Sequence, residues 1–187
     1  SLTPRPARRY KQALAAPPGN TMPPTLSSPY QAVVGAPGFS LGVRCSAEEV
    51  IEIEFIEARP ESAPATPLAA ETARQIRAYL ADPTFAFGLP LRPSGTSFQR
   101  RVWAEIAAIP CGQVRSYGAV AQALRNAPRA VGQACGANPF PLVVPCHRVI
   151  AANQGLGGFA RHGGGFLLDV KRWLLKHEGC LPGAQPD

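Results

Sequence analysis

The first half of the chain is patterned as a small sheet with one helix. Residues 50–56 alternate apolar residues with glutamates, as expected for a strand with one buried face. Residues 30–34 and 39–44 are similar short apolar runs, and the glycine- and proline-containing segment 35–38 between them is typical of a turn. Residues 68–80 then place apolar side chains three and four positions apart, which predicts an amphipathic helix. These elements predict a small α+β domain.

The second half of the chain changes to the helical period. Residues 98–109 place apolar side chains on one face of a helix, which Ser97 is positioned to cap and a proline ends. A last helix is expected over residues 170–178. Asp169 can cap its beginning, and Gly179 is the glycine that commonly follows a helix end.

Two short helices lie between these longer ones. They are predicted over residues 116–124 and 128–136, with a polar turn of three residues between them. This arrangement predicts a helix-turn-helix, whose second helix enters a groove of DNA. That helix carries small residues, and Gln133 alone cannot specify a base sequence. We therefore expect DNA binding with little sequence preference.

Residues 142–150 form an apolar run that predicts a buried strand, interrupted by Pro145-Cys146-His147-Arg148. Proline cannot donate a ladder hydrogen bond, so the backbone must leave any central sheet there. A cysteine beside a histidine and an arginine lies in electropositive surroundings, which favour the nucleophilic thiolate. On this pair alone, a buried structural cysteine beside a hydrogen-bonded histidine is the more frequent explanation.

The length of 187 residues allows one domain or two small ones. We expect two domains, at residues 30–92 and 93–180. Residues 1–29 are rich in proline and alanine and predict a flexible tail, and residues 181–187 predict a disordered end. The sequence has no apolar run of membrane-spanning length and no secretory signal at its N-terminus, so we expect a cytosolic location.

The net charge of +7 is unevenly distributed. Residues 48–61 carry six glutamates and one arginine, whereas residues 92–179 carry eleven lysines and arginines against three acidic residues. A basic half of this kind is typical of a polyanion-binding protein, although a basic surface that serves only solubility is an open alternative. The five cysteines lack a CxxC spacing and only three histidines are present, which argues against a disulfide framework or a metal site.

Four short motifs between residues 95 and 179 resemble those of the O6-alkylguanine-DNA alkyltransferases (methylated-DNA–protein-cysteine methyltransferases). They are Pro145-Cys146-His147-Arg148-Val149, the Gly-x-Val-x-Ser-Tyr order at residues 112–117, Arg-Ala-Val-Gly at residues 129–132, and Asn-Pro-x-Pro at residues 138–141. The resemblance implies a small N-terminal RNase H-like α/β domain and a mostly helical C-terminal domain with a winged helix-turn-helix.

The same resemblance implies DNA repair by direct reversal. The O6-alkyl group of guanine, mainly methyl, and also the methyl group of O4-methylthymine, would pass from double-stranded DNA to Cys146. The transfer is irreversible, occurs once per molecule, follows base flipping and needs no cofactor. A monomer in a bacterial-type cytosol, associated with the nucleoid, is expected, and cooperative binding along DNA is left open.

The resemblance also assigns roles to individual residues. Cys146 is the nucleophile, His147 takes the thiol proton through a bound water, and Glu178 orients that histidine. Tyr117 crowds the phosphate of the flipped nucleotide and donates its proton toward N3 of guanine. Arg129 fills the vacated place in the base stack.

Supporting residues are implied in the same way. The DNA contacts are Tyr117, Gly118, Arg129, Ala130 and Gln133. The base pocket comprises Pro145, Val149, Phe159 and Ala160, and structural support comes from Asn138 and Arg148. Between Phe159 and Lys171 the chain is longer than the usual family loop, which leaves the register at Ala160 open.

Two other classes of function compete with this hypothesis. A lesion sensor would flip the base but lack the cysteine, so Cys146 argues against it. A Cys-His-Glu hydrolase would form a thioester, would need an oxyanion hole, and would give no role to Arg129. For single residues, Tyr117 can instead be a core tyrosine and Arg129 a groove phosphate contact. Some members of the family bind zinc in the first domain, and no Cys/His cluster here would do so.

Overall fold

A computed structural model of the protein describes residues 30–153, 155–156 and 165–180. The chain divides after Ser94 into two compact units. The predicted flexible tail at 1–29, the predicted disordered end at 181–187, and the two predicted pocket residues Phe159 and Ala160 lie outside the described residues.

The first unit contains an antiparallel sheet of three strands in chain order. These are β1 (Ala32–Ala36), β2 (Phe39–Cys45) and β3 (Val50–Glu57). All three were predicted from the hydrophobic pattern to within two residues at either end. Gly38 follows β1 with φ +85°, which glycine adopts without the steric penalty of other residues. The resulting tight turn sets the register that pairs β1 with β2.

One helix covers a face of this sheet. Helix α1 (Pro67–Ala81) begins where Thr66 accepts a hydrogen bond from the backbone N–H of Ala69. It packs against β1 and β2 and buries Ala69, Ala73, Ile76 and Tyr79. Apolar burial of this kind stabilises the unit by about 1.5–3 kcal/mol for each large side chain. The predicted α+β architecture of the first unit is confirmed.

The second unit is mostly helical. Its helices among the described residues are α2 (Ser97–Ala107), α3 (Tyr117–Ala123), α4 (Pro128–Gly136) and α5 (Phe166–His177). Trp103 of α2 is 1% exposed and donates its indole N–H to the carbonyl of Ala134 in α4 at 2.8 Å. This hydrogen bond and the surrounding apolar contacts hold α4 against α2. Ser116 caps α3, and a proline begins α4, where its missing N–H is not needed.

Two predicted helix beginnings were wrong. Thr96, not Ser97, caps α2, because its hydroxyl accepts from the N–H of Gln99 while the Gln99 side chain accepts from the N–H of Thr96. Helix α5 begins four residues before the predicted start, after Gly165 with φ +76°. Asp169 therefore lies inside α5, where it pairs with Arg172 at 3.0 Å instead of capping the helix.

The expected strand over residues 142–150 is also wrong for most of its length. Residues 141–143 form a turn in which Leu142 has φ +72°, and a short 3-10 helix follows at Cys146–Arg148. Only β5 (Val149–Ile150) is extended, and it pairs in parallel with β4 (Arg115–Ser116). The run is buried as predicted, yet local hydrogen bonds satisfy its backbone in place of a sheet ladder.

No helix within the described part of the chain is long and apolar enough to cross a membrane.

Candidate active site

Cys146 opens the 3-10 helix and is almost completely buried, with 3% of its surface exposed. The side chain of Asn138 organises the approach to it. Its Nδ2 donates to the carbonyl of Val144 at 3.0 Å and to Cys146 Sγ at 3.3 Å. Its Oδ1 accepts from the backbone N–H of Phe140 at 2.9 Å. One amide therefore bonds the turn before the cysteine and contacts the thiol itself.

His147 and Arg148 converge on Glu178 at the end of α5. His147 Nε2 lies 2.9 Å from Glu178 Oε1, and both side chains are buried. Arg148 binds the same carboxylate with two nitrogens, each at 2.9 Å, and donates a third hydrogen bond to the carbonyl of Ile109 at 2.7 Å. Because an ionised carboxylate only accepts hydrogen bonds, His147 is the donor at Nε2 and carries its lone pair on Nδ1.

The charges in this cluster follow from its burial. Burial opposes ionisation of Glu178, but hydrogen bonds from His147 and Arg148 outweigh it and hold the pKa of the carboxyl well below its usual range. Burial lowers the pKa of His147, and the neighbouring Glu178 only partly offsets this. His147 is therefore neutral at pH 7 and can accept a proton.

The sequence predicted that His147 and Arg148 make the surroundings of the Cys146 thiol electropositive, and this prediction is wrong. Arg148 points to Glu178, and His147 is neutral. The pKa of Cys146 is raised well above its usual value, first by interaction with the Cys135 side chain and then by burial. The hydrogen bond from Asn138 and the charge of Lys171 act in the opposite direction. Cys146 therefore rests as a thiol, and its reaction requires removal of a proton.

Lys171 is a buried cation that the sequence analysis missed. It is 0% exposed, and its Nζ donates to the carbonyl of Val149 at 2.7 Å and to the Tyr117 hydroxyl at 3.5 Å. Burial lowers its pKa from 10.5 to about 8. The signal was present in the sequence, because Lys171 occupies the apolar face of α5 together with Val170, Leu174 and Leu175. A lysine rarely occupies such a position without a specific partner.

Tyr117 lies at the first position of α3, beside Lys171. The ammonium of Lys171 is also 5.6 Å from the centre of the Tyr117 ring. Burial, followed by the nearby Cys135 and Cys146 thiols, raises the pKa of the Tyr117 hydroxyl above its usual value. The hydroxyl therefore stays protonated at pH 7 and can donate a hydrogen bond. Tyr117, Lys171 and Cys146 form one electrostatic cluster.

Apart from Tyr117, the predicted DNA-contacting residues lie on a different part of the same unit. Arg129 and Gln133 are exposed on α4, four residues apart and hence on one helical face, and Ala130 next to Arg129 is half-buried. Gly118 follows Tyr117 in the first turn of α3 and is half-buried. None of these side chains is part of the buried cluster around Cys146. Of the predicted pocket residues, Pro145 and Val149 are buried beside it.

Metal binding has no support in the described ranges 30–153, 155–156 and 165–180, which contain no group of three or more His, Cys, Asp or Glu able to hold an ion.

Comparison with known proteins agrees with this geometry. The family profile described as "6-O-methylguanine DNA methyltransferase, DNA binding domain" matches residues 97–180. A crystal structure of Mycobacterium tuberculosis OGT in complex with DNA is similar, with a TM-score of 0.65 and 32% identity. That match covers 81% of this chain and 94% of the other.

Curated relatives give the same result at higher identity. The methylated-DNA–protein-cysteine methyltransferase of Methanosarcina acetivorans is 46% identical over 111 residues, which are 58% of this chain and 68% of that protein. The protein of the same name from Salmonella typhimurium is 56% identical over 89 residues, and there the match spans 46% of this chain and 49% of the relative. With the Pro-Cys-His-Arg segment buried against Glu178 and with these matches, the chain belongs to the methylated-DNA–protein-cysteine methyltransferase family.

Proposed function

We propose that this protein repairs alkylated DNA by moving the O6-alkyl group of guanine, mainly methyl, irreversibly to Cys146. The observation that carries the proposal is the buried Cys146 thiol held by Asn138 at 3.3 Å, next to the chain His147–Glu178–Arg148. Each molecule reacts once, because the thioether formed has no leaving group that water can displace under ordinary conditions. The residues 93–180 are proposed as the DNA-binding and alkyl-transfer domain, and residues 30–92 as an RNase H-like domain.

The chemical step is a displacement at the alkyl carbon. The sulfur of Cys146 forms a bond to that carbon as the bond from carbon to O6 breaks, and the electron pair of the broken bond moves into the guanine ring. The thiol proton must leave and the guanine must gain a proton, so the overall reaction is neutral in charge. Since the pKa of Cys146 is raised, a base near the thiol is required.

His147 is proposed as that base. Its Nε2–H is committed to Glu178 at 2.9 Å, which leaves the Nδ1 lone pair to receive the thiol proton through a water molecule. When His147 becomes charged, the ionised Glu178 stabilises it, and Arg148 keeps Glu178 ionised. The arrangement has the order nucleophile, base and orienting carboxylate that is found in hydrolase triads.

Tyr117 and Lys171 are proposed to deliver the proton to guanine. Tyr117 can donate its hydroxyl proton toward N3 of the base, and Lys171 Nζ, at 3.5 Å from that hydroxyl, can replace it. The pKa of Lys171, about 8, lies close to neutral pH, where proton transfer in either direction is efficient. The role of Lys171 is an addition to the residues expected from the sequence.

DNA would be held by the helix pair α3 and α4, proposed as a winged helix-turn-helix. Arg129 and Gln133 are exposed on α4, where they can reach a groove, and Arg129 can fill the space that a flipped base leaves. Flipping costs a few kcal/mol and is required here because Cys146 is only 3% exposed. Few residues on α4 can read base edges, which suits binding at any sequence.

The flipped base is proposed to lie against Pro145 and Val149, with Phe159 and Ala160 completing the pocket. The carbonyl of Val149 already accepts from Lys171 at 2.7 Å, and its second lone pair remains for the exocyclic amine of guanine. We further propose that the protein acts as a monomer on nucleoid DNA in a bacterial-type cytosol.

Intact mass spectrometry tests the proposed reaction. The full chain is incubated with a duplex oligonucleotide that contains one O6-methylguanine, beside Cys146→Ser and, as a matched control, Cys111→Ser. One added methyl group per molecule is expected in the wild type and in Cys111→Ser but not in Cys146→Ser. Tight binding of the lesion without a mass change would instead support a sensor. A parallel duplex with O4-methylthymine tests the wider substrate range.

A further inference from the structure

The turn between α3 and α4 has a backbone conformation that its residue does not favour. Arg125 follows Leu124, the residue that ends α3, and has φ +53°, in the left-handed region. Glycine adopts this conformation after a helix without steric penalty, whereas a residue with a Cβ atom adopts it at a cost in free energy. Among the described residues, Leu142 is the one other non-glycine residue with a positive φ. Leu142 is buried and held by its packing, but Arg125 is exposed.

Backbone hydrogen bonds close this turn. The N–H of Arg125 donates to the carbonyl of Gln122 at 3.2 Å, and the N–H of Asn126 donates to the carbonyl of Ala121 at 2.9 Å. Residues 125–129 are all exposed, so little of the turn is buried against the rest of the unit. Arg125 is therefore presented at the surface from a backbone that local hydrogen bonds hold in place.

Arg125 and Arg129 differ from the other described arginines of the second unit because they have no partner within the protein. Across the described residues, neither guanidinium group forms an ion pair or a hydrogen bond. By contrast, Arg115 and Arg172 each pair with a carboxylate, at 2.8 Å and 3.0 Å. A guanidinium is always charged in proteins. The turn and the start of α4 therefore carry two positive charges that the described residues leave unneutralised.

These charges are close enough together to meet one duplex. Arg129 is four residues beyond Arg125, and four residues of chain span at most about 14 Å, less than half of the ~34 Å of one duplex turn. A third arginine, Arg101 of α2, donates to the carbonyl of Leu124 at 3.5 Å and so brings its charge to the same turn. Like charges gathered on one exposed turn repel each other, and a polyanion such as the DNA backbone relieves that repulsion.

We propose that Arg125 binds a backbone phosphate of the duplex and so anchors the turn beside Arg129, the residue proposed to fill the space of the flipped base. This inference rests on the proposed function, because it takes α3 and α4 as the elements that contact DNA. A phosphate contact carries no sequence information, since every nucleotide has a phosphate. It holds the helix pair on the duplex at any sequence while Arg129 enters the base stack. Binding thus offsets the cost of the left-handed backbone, because it needs a charge that glycine lacks.

Binding of the full chain to an undamaged duplex tests this contact, with fluorescence anisotropy measured between about 50 and 200 mM salt. Arg125→Gly removes the charge and relieves the backbone, whereas Arg125→Lys keeps the charge and the backbone cost. The glycine variant should bind about three- to tenfold more weakly at ~100 mM salt, and its plot of log affinity against log salt concentration should be shallower by about one. The lysine variant should keep the wild-type slope. The loss should be equal on duplexes of different sequence, because a phosphate contact reads no base.

Urea unfolding of the same variants separates the contact from the stability of the fold. Arg125→Gly should unfold at the urea midpoint of the wild type or above it, because glycine adopts φ +53° freely. Arg172→Gln is the matched control, since it removes an exposed arginine of the same unit and lowers the net charge equally, and it should keep the wild-type slope. Four results would overturn the proposal: an unchanged slope in Arg125→Gly, a lower urea midpoint, a loss that depends on base sequence, or an equal loss of slope in Arg172→Gln.

Methyl uptake by the wild type distinguishes a failure of this proposal from a failure of the proposed function. A shallower slope in Arg125→Gly, together with no methyl uptake by the wild type from an O6-methylguanine duplex, would support the phosphate contact and contradict the proposed transfer. Full methyl uptake by the wild type, together with an unchanged slope in Arg125→Gly, would support the transfer and overturn the phosphate contact.

Discussion

Replacing Lys171 with methionine should raise the stability of the second unit at pH 7 and slow the proposed methyl transfer. The fall of the Lys171 pKa from 10.5 to about 8 corresponds to about 3 kcal/mol of unfavourable burial of the charge at pH 7. Methionine fills a similar volume without a charge, so this cost disappears. The substitution also removes the hydrogen bond to the Val149 carbonyl, at a cost of about 1–3 kcal/mol for a buried unpaired acceptor.

The free energy of unfolding of Lys171→Met at pH 7 should therefore lie between that of the wild type and about 2 kcal/mol above it. The native pKa of Lys171 is below its unfolded value, so between about pH 8 and 10.5 the unfolded state binds more protons. The stability of the wild type consequently gains from this group as the pH rises through that window. The methionine variant lacks that gain, so its higher stability relative to the wild type should vanish by about pH 10.5.

Urea unfolding at several pH values from 7 to about 10.5 measures this difference. Lys176→Met is the matched control, because Lys176 is exposed on the same helix and should show no change in the pH dependence. Two results would refute the reasoning: an identical pH dependence in wild type and Lys171→Met, or a clear loss of stability at pH 7. In the same samples, methyl transfer by Lys171→Met should be slower than in the wild type.

Four further results are expected. Glu178→Gln should destabilise the protein by about 3–5 kcal/mol and slow methyl transfer by a factor of about 10²–10⁴, because it removes the charge of a buried pair. Its control is Glu105→Gln, which removes the charge of a half-exposed pair with Arg115 and should cost less than about 1 kcal/mol in the same urea assay. Single-turnover methyl transfer should decline above about pH 8 as Lys171 loses its proton, and a rate that rises steadily to pH 10 would contradict the proposed proton delivery. Arg129→Ala should slow transfer from a duplex more than transfer from a single strand, because only the duplex needs a flipped base; equal losses would indicate a simple phosphate contact. Methylation of Cys146 should lower the melting temperature, since an added methyl group beside Asn138 Nδ2 costs about 1–3 kcal/mol, and equal melting curves for free and methylated protein would disprove this.

The sequence predicted those elements whose pattern repeats locally. The alternation at β3, the amphipathic faces of α1 and α2, and the proline at the start of α4 all depend on near neighbours along the chain. Such periodicity decides which face is buried, so the sheet and the helices followed from it. The motif-based resemblance likewise pointed to Cys146 together with His147 and Glu178, which the structure brings together.

The errors came from side chains that act at a distance. The branched run before Cys146 looks like a strand, but Asn138 satisfies the backbone of Phe140 and Val144 and holds a turn there instead. Nothing in the spacing of apolar residues encodes a single amide that makes three hydrogen bonds. The protonation state of the Cys146 thiol was predicted wrongly for the same reason, since Arg148 binds Glu178, thirty positions away along the chain, and not the thiol.

The parallel pairing of β4 with β5 has a consequence for how damage is found. Arg115 pairs with Val149 and Ser116 with Ile150, so backbone hydrogen bonds join the residue that caps α3 to the segment just beyond Cys146. The helix pair proposed to contact DNA is therefore joined through this pairing to the segment that carries the acceptor thiol. Under the proposed function, this connection would keep Cys146 at a set distance from the DNA-contacting helices, so that each nucleotide is tested by how it fits the site.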